Sequence, residues 1–412
     1  MRRVVITGMG ALTPIGASVE AFWENLVNGK SGIGRITRFD ASNFPCRIAG
    51  EISGWEPEQS FTPREINRKD RLSLYALKAV KEAIDQSGLL SSSYDNERIG
   101  VIWASGNAGI ETIEDGLLEF AKNPAMVRFS PFYVPKSLLD TPSGEIALEY
   151  RFMGINYSVV SACASSNSAI MDALNYIRWN KADVIVAGGS EAPITRALIG
   201  GFGAMKALSR NNDNPQGASR PFDRDRDGFV MSEGAGALIL ESLEHAQQRG
   251  AHIIAEVKGA AMSNDAFHAT STHPEGDGAA RAMRLALQDA DLLPDDIGYI
   301  NLHATGTRVG DVSEIKAIGQ VFINHTPLLS ATKSSTGHLL GAAGAIEAVA
   351  SVMALKEGIV PATINIDHLD ESIPAGIPLV RDMPVKAHLK NVMSNTFGFG
   401  GHNAIVIFGS SE

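Results

Sequence analysis

Three residues in this chain have both the type and the placement for nucleophilic or acid–base chemistry. Cys163 stands in "VVSACASSNSAIMDALNYI" (159–177), between β-branched Val159 and Val160 and a run in which Ala169, Ile170, Ala173, Leu174 and Ile177 recur at helical spacing. A strand end followed by a helix start would set the sulfur beside free N–H groups and the positive end of a helix dipole, which favours a thiolate nucleophile. A small buried hydrophobe is the other role open to a free cysteine. His303 lies in "NLHATGTRVGD", directly after an apolar run, and His338 lies in "ATKSSTGHLLGAAG", five residues after Lys333, where the pattern predicts a helix start. A glycine-dense loop, "NTFGFGGHN" (395–403), would let backbone N–H groups approach a ligand closely and serve an oxyanion; a tight strand connection is the alternative.

The elements that must position these residues alternate. Strand patterns fall at 3–7, 98–103, 183–187, 253–258, 297–302, 327–331, 390–396 and 404–408, with helical patterns at 70–89, 163–178, 276–291, 312–321 and 338–357. This predicts an α/β fold. "CASSNSAIMDALNYI" and "HLLGAAGAIEAVASVMAL" echo one another, each placing a reactive residue type before small residues and an apolar helix. Two related halves, 1–250 with the cysteine and 251–412 with the two histidines, would account for the echo. Glycine, proline and aspartate gather at 209–235 and 263–278, which reads as loops.

The bulk properties narrow the class. The chain has 412 residues, 44% hydrophobic and 20% charged, enough for one large or two medium domains. Two cysteines make no disulfide framework, so a reducing, cytoplasmic setting is expected. The opening "MRRVVITGMGALTPIG" imitates a signal peptide, but Gly8, Gly10, Thr13 and Pro14 break the apolar run. "HLLGAAGAIEAVASVMAL" comes nearest to a membrane span and is interrupted by His338 and Glu347. A net charge of -10 disfavours general nucleic-acid binding but leaves room for a local basic patch. "DRDRDGFVMSEG" (223–234) has the acids of a calcium loop but Gly234 where the bidentate Glu is needed. "GMGALT" (8–13) lacks the third glycine of a dinucleotide fingerprint.

Taken together, "SACAS", "PFDRDRDGFVMSEGAG", "HATGTRVGD", "KSSTGHLLGAAG" and "NTFGFGGHN" resemble the β-ketoacyl-[acyl carrier protein] synthases in order and spacing, most nearly the elongating type II enzymes of fatty acid synthesis. The resemblance runs from "RRVVITGMGALTPIG" to the last strand. It implies a duplicated thiolase-like fold, five-layered αβαβα, and a decarboxylative Claisen condensation needing no redox cofactor or catalytic metal, although relatives can bind a structural monovalent cation. It assigns the nucleophile to Cys163 and the malonyl site to His303 and His338, with Lys333 holding His338. Phe399 would supply an oxyanion N–H and a gating ring. Thr305, Thr307 and Thr270 would meet the substrate arm, and Asp311 and Glu314 would support the site, with Glu314 fixing Lys333. Acyl carrier protein would dock on Arg68, Lys69, Arg128 and Lys206. The resemblance also implies a dimer, homodimeric or formed with a related ketosynthase-like subunit, with "NPAMVRFSPFYVPKS" near the partner.

The chain departs from that pattern in two places. "ASGNAGIETIED" carries Asn107 where the fatty acid enzymes have an isoleucine lining the acyl tunnel, and "FMGINYS" (152–158) has Gly154-Ile155 in place of Gly-Pro. An amide in an apolar tunnel needs hydrogen-bond partners or costs about 1–3 kcal/mol. Asn107 is therefore expected to bear on substrate choice, and an elongating ketosynthase of a specialised polyene or polyketide pathway is the second reading. A chain-length-determining partner would lack the cysteine, and a degradative thiolase would need a second cysteine near the C-terminus; neither description fits.

Overall fold

Val4–Leu12 (β1) is buried along its whole length. A strand covered on both faces by helices requires this, and it explains the unbroken run of apolar and small residues. The computed structural model describes residues 1–91 and 94–411. In it β1 lies at the middle of a ten-stranded sheet. The other strands in its half are β2 (Ile99–Ala104), β3 (Asn156–Val159), β4 (Val184–Glu191) and β5 (Gly234–Ser242). The second half supplies β6 (Ala255–Asn264), β7 (Tyr299–Asn301), β8 (Leu328–Ser330), β9 (Asn391–Gly398) and β10 (His402–Gly409).

Outward from the centre the orders are β1-β5-β4-β2-β3 and β6-β10-β9-β7-β8. Each half therefore lays down its first, fifth, fourth, second and third strands in the same sequence. The directions repeat as well. β2 runs parallel to β3 and β4, as β7 does to β8 and β9, and the fourth and fifth strands pair antiparallel in both halves. The halves meet at β1 and β6, where Val5 faces Glu256 and Ile6 faces Ala255. The fold is α/β and duplicated.

Helices fill the remaining layers. α1 (Arg71–Ser87) covers the outer face of the first half, and α4 (Asp277–Ala290) covers that of the second. α2 (Ile110–Lys122) and α5 (Arg308–Val321) follow the second strand of each half. Between the half-sheets lie α3 (Ser165–Arg178) and α6 (Ala343–Glu357), whose apolar residues share one core with strands of both halves. α6 is buried from Ala343 to Ala354 without a polar face, as a helix in the middle layer must be. The result is five layers, αβαβα. Among the described residues no helix is long and apolar enough to cross a membrane.

Several elements differ from the sequence reading, and three of them show why. β5 lies partly within the stretch read as loop, because its glycines serve packing: a Cβ at Gly236 would come within 2.7 Å of the Ala345 carbonyl carbon in α6. α2 is absent from the helices expected from sequence, although Ile110, Ile113, Leu117 and Ala121 recur at helical spacing; none of its residues is buried. The helix expected from 338 begins at Ala343. His338 lies outside it because its N–H donates to the Val230 carbonyl at 2.8 Å and its carbonyl accepts from Ser232 at 3.0 Å, which holds the residue extended.

Candidate active site

The cysteine sits on a sharp connection between β3 and α3. Ala162 has φ of 51°, a left-handed conformation that a non-glycine residue adopts at a cost and that turns the next side chain out of the layer. Hydrogen bonds over-determine the turn. Ser165 Oγ donates to the Ala162 carbonyl at 2.6 Å and accepts from Ser161 N–H at 2.8 Å. Opposite lies the glycine-rich turn between β9 and β10. A Cβ at Gly398 would stand 2.6 Å from the Ser161 carbonyl oxygen, so only glycine permits this approach. The N–H groups of Phe399 and of Cys163 itself lie at the sulfur and favour its thiolate form.

Cys163, His303, His338 and Phe399 open onto one cavity of about 580 Å³. The two imidazole rings are 5.4 Å apart, centroid to centroid, and nearly perpendicular. Each is flanked by a phenylalanine, Phe397 beside His303 and Phe229 beside His338. Burial first, then the Lys333 charge, holds both imidazoles well below their ordinary range, so both are neutral. The sulfur departs from expectation. Desolvation at the half-buried sulfur pushes the Cys163 thiol up to about 12; Lys333 and the two N–H groups oppose it only in part, and the Glu191 carboxylate adds to it. The resting nucleophile is a thiol, because desolvation outweighs the helix terminus.

The support for Lys333 also differs from expectation. Its ammonium pairs with Glu347 of α6, not with Glu314, and both partners are almost wholly buried. Glu314 instead accepts the N–H groups of His303 (2.9 Å) and Ala304 (2.8 Å) and the Asn395 amide (3.0 Å), which fixes the histidine loop. Burial raises Glu314 and Glu347 to about 7 each. Glu347 showed in the sequence only as the charge interrupting an apolar helix. Its Oε2, Asn395 Oδ1 and Ser394 Oγ are buried without partners among the described residues, and Ser394 pairs in register with Asn301.

Asp311 accepts from the N–H groups of Phe222 (3.0 Å) and Gly306 (3.1 Å) and faces Arg226 at 3.2 Å. Burial raises its carboxyl to about 6. Arg226 is a residue the sequence reading passed over within "DRDRDGFVMSEG". Fully buried, it donates to the carbonyls of Thr307 and Arg308 and to Asp370, and so anchors the turn carrying Thr305 and Thr307. Those threonines and Thr270 line the cavity, with the first two hydroxyls 3.3 Å apart. The acids of the 223–234 loop diverge: Asp223 accepts from Asp225 and His368 N–H, and Asp227 from Ser209 and Arg210. Asn107 lies in the cavity wall with its Nδ2 donating to Glu191 at 3.2 Å.

The four expected docking cations separate. Lys206 is exposed at the mouth of the Cys163 cavity, where Arg308 joins it unforeseen. Lys69 and Arg128 line a different cavity, beside α2. Lys69 is no free docking charge, because it pairs with Glu145 at 3.0 Å and both are mostly buried. Arg68 is exposed and lies over the Phe132 ring at 5.2 Å. Cys46 is buried in the core against which Cys163 packs but does not line the cavity, and its thiol lies 3.5 Å from the Ile48 carbonyl. Cys46→Ala should therefore keep kcat/KM within a few fold while costing on the order of 1 kcal/mol of stability, read by steady-state kinetics and thermal melting.

A sulfur on a strand–turn–helix connection, facing two neutral imidazoles and a buried ammonium inside a duplicated five-layered fold, is the layout of a carbon–carbon condensing enzyme. Residues 1–246 match the β-ketoacyl synthase N-terminal domain and residues 254–367 the β-ketoacyl synthase C-terminal domain. The chain belongs to the β-ketoacyl synthase family. It is 44% identical to the 3-oxoacyl-[acyl-carrier-protein] synthase 2 of Vibrio cholerae, over 99% of each chain. Among solved structures it resembles the ishigamide ketosynthase/chain length factor (TM-score 0.93, 34% identity, 100% of both chains). It also resembles a type II polyketide ketosynthase in complex with its acyl-carrier protein (TM-score 0.91, 32% identity, 100% of both chains).

Proposed function

We propose that this protein elongates acyl chains in fatty acid synthesis by decarboxylative condensation of an acyl group on Cys163 with malonyl-[acyl carrier protein], giving 3-oxoacyl-[acyl carrier protein] and carbon dioxide. The observation that carries the reading is the convergence on one cavity of a sulfur, two backbone N–H groups and two neutral imidazoles. In the first half-reaction the Cys163 sulfur attacks the incoming thioester; its proton leaves with the released carrier thiol, and an acyl–Cys163 bond replaces the acyl–carrier bond. Malonyl thioester then loses carbon dioxide, and its carbonyl oxygen gains the charge of an enolate. Neutral imidazoles can donate N–H bonds to that oxygen without a proton having to be removed first. The enolate carbon attacks acyl–Cys163, and the tetrahedral oxyanion is met by the N–H groups of Cys163 and Phe399. Each fixed donor of this kind is worth about 3–4 kcal/mol. Cys163 then departs and recovers a proton.

The full-length identity with an elongating 3-oxoacyl synthase, higher than that with the polyketide-type structures, supports the fatty acid reading. The test is intact-mass analysis of Cys163 after incubation with acyl carrier proteins, followed by addition of malonyl-carrier protein. The reading requires an acyl adduct that converts to a 3-oxo product.

The carrier protein is the proposed partner, with Lys206 at the cavity mouth meeting its acidic surface. Lys206→Glu should raise KM for carrier-protein substrates roughly tenfold, leave small thioesters nearly unchanged, and reduce the salt dependence of the wild type; salt-insensitive wild-type kinetics would count against it. A second subunit, identical or a related ketosynthase-like chain, would cover the exposed apolar Met126, Val127, Phe129, Val134 and Leu138. No redox cofactor or catalytic metal enters the scheme. The unpartnered oxygens of Glu347, Ser394 and Asn395 are hard donors of the kind a monovalent cation takes.

A further inference from the structure

One buried carboxyl directly behind the cavity wall has no part in the mechanism above. Glu191 ends β4 with no exposed surface, and its partners are all neutral donors: the Ser105 hydroxyl at 3.0 Å, the Gly106 N–H, and Asn107 Nδ2 at 3.2 Å. Space around it is tight, since a Cβ at Gly341 would come within 2.8 Å of Glu191 Oε1. The carboxyl is therefore fixed in place, and so is whatever it holds.

What it holds is the one side-chain amide among the described residues in the wall of the Cys163 cavity. A carboxylate only accepts hydrogen bonds, so the nitrogen end of the Asn107 amide must face Glu191 and the carbonyl end is left over. No described residue donates to Asn107 Oδ1. Close by, the wall is apolar, with Ala162, Phe202, Leu340 and Phe399. An acyl chain laid along this wall passes one unfilled hydrogen-bond acceptor among hydrocarbon surfaces. A methylene group cannot satisfy it, and a hydroxyl can.

We propose that Asn107, oriented by Glu191, is a specificity-determining residue that selects acyl chains bearing a hydroxyl group over saturated chains of equal length. This rests on the condensing function proposed above and names the substrate class its cavity prefers. The role belongs to Asn107 as the contact and to Glu191 as a positioning residue acting through it.

The test is competition between hexanoyl-carrier protein and its isomers hydroxylated at the fourth, fifth or sixth carbon, scored by 3-oxo products in the presence of malonyl-carrier protein. Burial pushes Glu191 up to about 7 against its three donors, so assays at about pH 8.5 keep it ionised and the amide in this orientation. Wild type should prefer at least one hydroxylated isomer about tenfold, the scale of one hydrogen bond left unmade in a water-poor site. Asn107→Leu should abolish that preference. Glu191→Gln should weaken it, because the new amide can donate to Asn107 Oδ1 and allow it to turn. Normal turnover with no preference for any isomer, or a preference that persists in Asn107→Leu, would overturn the inference alone. No 3-oxo product from any chain would overturn the function itself.

Discussion

Cys163→Ser protein is expected to stay folded and to accept no acyl group, with condensation reduced by at least about a thousandfold. The replacement is nearly isosteric in a turn whose shape is set by Ala162 and Ser165, so the melting temperature should move by only a few degrees. A serine hydroxyl in this densely packed position would be harder still to ionise than the thiol, which already stands at about 12. Intact mass after incubation with acyl-carrier protein reads the first half-reaction directly; an adduct and normal product from Cys163→Ser would remove the central assignment. The raised thiol adds a second check on wild type. Alkylation of Cys163 by iodoacetamide should be slow near neutrality and should quicken about tenfold for each pH unit, as the thiolate fraction dictates. A plateau beginning near neutral pH would mean that the sulfur ionises far more easily than its surroundings suggest.

His303→Ala and His338→Ala should separate the two half-reactions. Each is expected to acylate Cys163 at close to the wild-type rate and to lose malonyl decarboxylation by a factor on the order of 10²–10³, the usual cost of removing one oxyanion donor. The direction of the pKa shifts sharpens this. Both imidazoles are held well below their ordinary range by burial and by Lys333, so neither gains a proton as the pH falls from 8 to 6. Any change in wild-type decarboxylation across that window should therefore follow the supporting carboxyls Glu314 and Glu347, which stand at about 7, and not the imidazoles. A variant that loses loading and keeps decarboxylation would reverse the roles. The double variant should be little worse than either single one if both donate to the same oxygen.

The sequence made the reacting atoms easier to read than their scaffolding. Cys163, His303 and His338 each stand at the end of a hydrophobic pattern, where periodicity breaks and a loop begins, and the structure gathers them around one cavity. Glu347 was visible only as an interruption, because a sequence shows that a charge is buried but not which charge meets it. Glu314 shows the reverse. Its likeness to a supporting residue was apparent, but its partners are backbone N–H groups, which have no residue identity to read. Lys69 was misread because its partner, Glu145, is distant in the chain. The thiol's resistance to ionisation was hidden for a similar reason: desolvation depends on every neighbour, whereas the helix terminus that opposes it is local. The echo between the two helix-leading segments pointed to the duplication, and each segment does follow the third strand of its half, but the strand orders were not legible because β3 and β5 were not read as strands.

That repetition has a consequence for how the protein can change. Cys163 and the Lys333–His338 segment occupy matching corners of two copies of one unit, and the spacing between them is set by the join. Asn167 of α3 donates to the Ser394 and Ala404 carbonyls on β9 and β10, and a Cβ at Gly344 of α6 would come within 2.7 Å of Asn167 Oδ1. The join is thus a ruler graduated in small side chains. A single added methyl group there would move sulfur and imidazole apart as a rigid pair of jaws, impairing carbon–carbon bond formation while every reacting group remained intact. Redesign for other chain lengths has its freedom on the far side of Asn107, away from this spacer.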